Sequence, residues 1–176
     1  MTKAKKRIFL CICSEHGLMS ETTSDGLNGW GKTLDSASGM AEGLRTNGWE
    51  VVTVRAAHVT PESPADGDTD RFGFVYLAQG EVADALENVI HHGEFDSYEV
   101  FNRSVGTDLF TLTRVTDGKQ QVAVLLVGAV DLTDAGDLAA AAADREEMYS
   151  HVRLLDGTHL GSFHHDDPTP FFPDRL

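Results

Sequence analysis

The chain has 176 residues, with 28 Asp and Glu against 14 Lys and Arg, a net charge of −14. Hydrophobic residues make up 41% of it, enough for a core at this length, so wholesale disorder is excluded. No apolar run approaches the ~20 residues of a membrane helix, and so acidic a surface repels phosphates, which excludes nucleic acid and anionic membrane as expected partners.

Residues 1–18 stand apart from the rest. They carry Lys3, Lys5, Lys6 and Arg7 against Glu15 alone, and both cysteines, Cys11 and Cys13. Their apolar stretch, residues 8–13, falls short of a signal peptide and no small-residue cleavage site follows, so a cytoplasmic location is expected. Residues 1–26 read as an N-terminal arm, disordered or begun too early, with the true start expected at Met19. Cys11, Cys13 and His16 are soft-metal ligand types. They lack a second ligand pair, and an apolar strand with two buried thiols explains them as simply.

Gly26, Gly31, Lys32 and Thr33 complete the phosphate-loop pattern G-x-x-x-x-G-K-[ST]. In such a loop backbone N–H groups cradle phosphates, the lysine reaches the terminal phosphates and the threonine holds Mg²⁺, provided that a buried strand feeds the first glycine. Here residues 20–25 are polar, so the competing reading is a Gly-rich arm entering a helix capped by Asn28. Trp30, Leu34, Ala37, Met40, Ala41 and Leu44 recur at helical spacing, and Asn47-Gly48 supplies a stop. Residues 49–55 read as a strand, 61–70 as a loop rich in Pro, Asp and Gly, and 71–78 as the next strand. Val82, Leu86, Val89 and Ile90 form the stripe of a second helix. Glu81 and Asp84 suit its first turn, His91 and His92 its negative end, and Gly93 closes it. A strand over 98–103 follows.

Two Asp-Gly pairs, Asp117-Gly118 and Asp156-Gly157, predict hairpins with two-residue turns. Around the first, alternation places Phe110, Leu112, Ala123, Leu125 and Val127 on one face. Leu109, Thr111, Thr113, Val122, Val124 and Leu126 take the other. Both faces are largely apolar, which calls for cover on each side: helices on one, and other elements or a second subunit on the other. A homodimer is expected on that ground. Between the hairpins the alanine run 139–143 predicts a third helix. The expected fold is a single α+β domain over residues 27–176, a layered sandwich of about three helices and a mainly antiparallel sheet.

The second hairpin gathers the candidate site. A two-residue turn sets His151 opposite Ser162, Arg153 opposite Leu160 and Tyr149 opposite His164, with His151 and His164 diagonal neighbours on one face. Tyr149, His151, Arg153 and His164 are the candidate binding residues, with Arg153 suited to an anion. His151, His164, His165 and Asp166 are the candidate metal ligands. The bland alternative is a solvated edge hairpin. The opposite face carries Val152, Leu154, His159, Gly161 and Phe163, where His159 reads as a core histidine. No Gly-x-Ser-x-Gly, His-Glu-x-x-His or Gly-x-Gly-x-x-Gly occurs, and no motif requires a cofactor.

Several segments together carry a likeness: Asn47-Gly48-Trp49-Glu50, His58-Val59-Thr60-Pro61, Phe95-Asp96-Ser97-Tyr98, Met148-Tyr149-Ser150-His151, and Phe163-His164-His165-Asp166-Asp167-Pro168. On them the chain resembles an uncharacterised family of small acidic proteins from halophilic archaea. The resemblance implies a halophilic cytoplasm and a single domain, and it assigns no catalytic residue. The Gly-Lys-Thr is not part of that family's pattern, which argues against a nucleotide site. Three classes of function remain, ranked in this order. They are a non-enzymatic binding or assembly module, for which the sequence names no small-molecule ligand, a metal- or anion-dependent enzyme using the His151/His164 face, and a phosphate-loop nucleotide binder.

Overall fold

A computed structural model of the chain describes residues 22–67 and 69–173. The arm, the start at Met19, and Cys11, Cys13 and His16 lie outside the described residues, save that the first helix, α1, already runs from Thr22 to Thr46. Strands β1 (Glu50–Arg55), β2 (His58–Glu62) and β3 (Gly73–Ala78) follow, then α2 (Ala83–His92). Strands β4 (Ser97–Val105), β5 (Asp108–Asp117) and β6 (Val122–Asp131) precede α3 (Gly136–Arg145), and β7 (Met148–Leu154) and β8 (His159–His165) complete the order. The architecture is α+β, with three helices and two four-stranded sheets among the described residues. One sheet is ordered β1-β6-β5-β4 and the other β2-β3-β7-β8; β1/β6 and β3/β7 are parallel and the remaining pairs antiparallel. No helix among the described residues is long and apolar enough to cross a membrane.

The predicted stripe of α1 does what its spacing implies. Trp30, Leu34, Ala37, Met40, Ala41 and Leu44 pack on Leu112, Leu125 and Val127, covering the outer face of the first sheet. Asn47-Gly48 ends the helix in a Schellman arrangement: Trp49 N–H donates to Leu44 O at 3.1 Å and Gly48 N–H to Arg45 O at 3.0 Å. Gly48 takes the required left-handed φ of 85°. At the end of α2, His92 Nδ1 lies 2.8 Å from Asn88 O, so the histidine pair stays with the helix end.

The other face of the first sheet, including Val54, Leu109, Val124 and Leu126, meets Phe74, Tyr76, Met148 and Val152 of the second. Leu86 and Val89 of α2 and Leu138 and Ala142 of α3 close this core. Both apolar faces are therefore covered from within the chain, and the alternation no longer calls for a second subunit.

Three local features differ from expectation. Asp117 pairs with Val122 across four residues rather than a two-residue turn. The cause is the Asp117 carboxylate, which accepts from Lys119 N–H at 2.9 Å, Gln120 N–H at 3.1 Å and Glu94 N–H at 2.8 Å. The longer loop shifts the register by an even step, so every residue keeps its predicted face. The two-residue turn occurs instead between Val105 and Asp108, with Gly106 at a φ of 62°. Finally, β2 includes Pro61, which read as loop; an edge strand has room for a residue without an N–H.

Candidate functional site

The outer face of the second sheet holds the site. Tyr149, His151 and Arg153 alternate along β7, and β8 brings Ser162 opposite His151 and His164 opposite Tyr149, as the alternation predicts. The turn differs. Leu154 N–H donates to Thr158 O at 2.8 Å and Gly157 N–H to Leu154 O at 2.9 Å, a three-residue loop with Gly157 at a φ of 90°. The register then shifts between Val152 and Arg153, so Arg153 faces His159 instead of Leu160. Leu160 is the extra residue of this bulge and turns into the core. His159 consequently leaves the face expected for it: it is an exposed residue on the same side as His151, not a core histidine.

The segment joining β2 to β3 walls this face. Ser63 Oγ donates to Asp66 at 2.6 Å, shaping its first turn, and Tyr149 N–H donates to Phe72 O at 2.9 Å, tying its end to β7. A Cβ at Gly73 would fall 1.7 Å from the Tyr149 carbonyl oxygen, so only glycine lets the chain enter β3 this close to β7. Between segment and sheet lies a cleft of about 490 Å³, whose lining includes Glu62, Asp66, Arg71, His151, Arg153, His159 and Ser162.

Its hydrogen bonds fix the protons. His151 Nε2 lies 2.8 Å from the Arg71 carbonyl, which only accepts, so Nε2 carries the ring proton. Burial, with smaller contributions from Arg153 and His159, lowers the His151 pKa; the Arg71 carbonyl and Glu62 oppose the shift. The ring is thus neutral near pH 7 and its bare Nδ1 accepts from Ser162 Oγ–H at 2.7 Å. With that hydrogen committed, His159 Nε2–H must be the donor in its 2.8 Å contact with Ser162 Oγ. His159 also has a lowered pKa, through burial and then the charges of Arg153 and Arg71.

Two guanidiniums supply the charge. Arg153 forms a bidentate pair with Glu62, at 2.9 and 3.2 Å, while the Arg71 guanidinium sits 5.7 Å from the Tyr149 ring centroid. No carboxylate of the described residues is paired with Arg71.

The remaining predicted groupings do not assemble. His164 shares the outer face but bonds Glu147 at 2.8 Å, whereas His165 points into the core and Asp166 accepts from Tyr98 Oη at 3.0 Å. Strand alternation sends the consecutive His164 and His165 to opposite faces, so His151, His164, His165 and Asp166 form no ligand set. No group of three or more ligand-type side chains gathers among the described residues. Gly26, Gly31, Lys32 and Thr33 lie inside α1, where Thr33 Oγ donates to the Gly29 carbonyl at 2.8 Å. A helix interior commits its N–H groups to its own carbonyls, so the segment is not a phosphate-cradling loop. Lys32 and Thr33 border a smaller cleft of about 200 Å³, beside Phe101, Phe110 and Leu112.

Residues 18–173 match a family of unknown function, DUF7529. The chain belongs to that family. No curated protein and no solved structure matches it. The matched span contains every residue of the cleft, whereas Cys11, Cys13 and His16 precede it. Family membership brings no residue roles, so the reading of DUF7529 in this chain rests on geometry. Alternation from the Asp156-Gly157 turn located Tyr149, His151 and Ser162. Glu62, Arg71 and His159 were missed: the first two arrive from distant segments, and the third through a bulge with no sequence mark.

Proposed function

We propose that the chain is a small-anion-binding protein of a halophilic cytoplasm, with its ligand held in the cleft over β7 and β8. The observation that carries this reading is the convergence of Arg71 and Arg153 on one cleft, in a chain with only 14 basic residues and a net charge of −14. Glu62 offsets Arg153. The Asp66 carboxylate, which also lines the cleft, is hydrogen-bonded to Ser63 rather than to Arg71, so Arg71 is the guanidinium left to meet a ligand charge. The neutral rings of His151 and His159 add no repulsion toward either sign. Tyr149 stacks on His151 with centroids 5.8 Å apart and 7° between planes, so the cleft's buried histidine has a flat neighbour. Guanidinium recognition of carboxylate or phosphate is charge-assisted and directional. The Asp-rich, lysine-poor composition supports the halophilic compartment.

Calorimetric titration with inorganic phosphate and with citrate, in molar KCl, tests the cleft. Binding of at least one is expected, weakened about tenfold or more by Arg71→Ala, since a charge-assisted bond contributes roughly 1.5–3 kcal/mol. Absence of heat with both, or affinity indifferent to Arg71→Ala, would contradict the reading.

A further inference from the structure

We propose that Ser162 is a base-activated nucleophile, and that the cleft above it takes a small carboxylic ester or thioester bearing a negative charge. The charge of the substrate rests on the anion-binding reading given above; the serine chemistry does not. An activated serine needs a base within hydrogen-bond reach and a third group that holds the base in the correct tautomer. Both are present. His151 Nδ1 is 2.7 Å from Ser162 Oγ, and the Arg71 carbonyl, 2.8 Å from Nε2, keeps the proton on the far nitrogen. His159 Nε2, 2.8 Å away, donates to the same oxygen and so points the hydroxyl hydrogen at His151. His151 is 3% exposed, whereas Ser162 is partly exposed and borders the cleft, so the base is sheltered and the nucleophile reachable.

The reaction is ordinary acyl transfer. As Ser162 Oγ bonds to the acyl carbon, its proton passes to His151 Nδ1 and the carbonyl electron pair moves onto oxygen. The imidazolium so formed keeps Nε2–H on the Arg71 carbonyl, with Glu62 close enough to favour its charge. Arg71 and Arg153 line the same cleft and favour the oxyanion. Collapse reforms C=O and breaks the bond to the leaving alkoxide or thiolate, which takes the proton from His151. Water then attacks the acyl-serine and gives a proton to His151. The carboxylic acid departs as His151 returns that proton to Ser162 Oγ, so ester and water become acid and alcohol.

The test uses the full chain in molar KCl. Treatment with a fluorophosphonate, followed by intact-mass and peptide mass spectrometry, is expected to show one adduct, on Ser162. Hydrolysis of p-nitrophenyl acetate is expected to fall about 100-fold or more in Ser162→Ala. Labelling of the unaltered chain needs no variant, so a poorly folded Ser162→Ala leaves the question decidable. No adduct, an adduct on another serine, or equal hydrolysis by the folded Ser162→Ala chain would overturn the proposal. Titration of the same preparation with phosphate and with citrate separates the two ideas. Phosphate or citrate binding without labelling removes only the nucleophile, and labelling without heat from either anion removes only the anion site.

Discussion

Acidification is expected to unfold the protein from the middle of its sandwich. His165 is fully buried between the sheets, edge-on to Tyr98 with ring centroids 4.6 Å apart, and its Nε2 lies 2.9 Å from Ser150 Oγ. Burial, and after it the charges of His164 and His151, push its pKa down from 6.5 to about 3. The unfolded chain titrates this ring near 6.5, so between about pH 6.5 and about pH 3 the unfolded state binds the extra proton. The stability tied to the neutral ring is fully present above about pH 6.5 and is lost as pH falls toward the folded value, by about 1.4 kcal/mol per pH unit. At about pH 4.5 this single ring removes roughly 2–3 kcal/mol, a large share of a typical 5–15 kcal/mol. His151, also depressed by burial, adds in the same direction. Urea midpoints near pH 7.5 and pH 4.5 measure the loss, and His165→Phe, which keeps an aromatic ring beside Tyr98 and Phe171, is expected to reduce it. An equal acid loss in both chains would assign the effect to other groups.

Removal of salt is the second large effect. Carboxylates outnumber basic side chains two to one, 28 against 14, so pairing cannot neutralise the surface however well it is arranged. The described pairs are also modest ones: Lys119–Glu94, at 3.0 Å, is almost wholly exposed, and such pairs contribute little. In molar salt the Debye length is about 3 Å and like charges scarcely interact; at 0.01 M it is about 30 Å, spanning the domain. Self-repulsion then acts on the compact state across its whole surface. Dialysis from molar KCl to about 0.01 M is therefore expected to lower the thermal midpoint by on the order of 10 °C, or to abolish the folded circular dichroism. An unchanged midpoint would show that the acidic coat is not tuned to brine.

The parts of the fold legible in the sequence are those set by local periodicity. The α1 stripe from Trp30 to Leu44 and the two faces of β5 and β6 follow from residue spacing alone, and both packed as the spacing implied. The face of β7 that carries Tyr149 and His151 was equally readable, because the one residue added at the turn is taken up by the one-residue bulge at Leu160, so the predicted pairing of His151 with Ser162 holds beyond it. What was not readable depends on contacts between distant segments. Asp117 reshaped its turn through Glu94, which lies in the connection after α2. The shift at Leu160 reversed His159, and nothing in Thr158-His159-Leu160 announces a bulge. Arg71 reached the site because its own carbonyl is held by His151, a pairing that spans 80 residues. Asp-Gly marked both turn regions correctly and misstated both turn lengths, since side-chain acceptors and loop residues with positive φ compete with the simplest turn.

The chemistry of the cleft depends on one protonation state, that of His151. Nitrogen NMR of the histidine rings in the intact chain near pH 7, assigned by comparison with a His151 variant, reads it directly. A neutral ring with its proton on Nε2 and a bare Nδ1 is the expected signature. A neutral ring with its proton on Nδ1 would mean that Ser162 faces no base and that the Arg71 carbonyl does not anchor the site, and a doubly protonated ring would by itself remove the base.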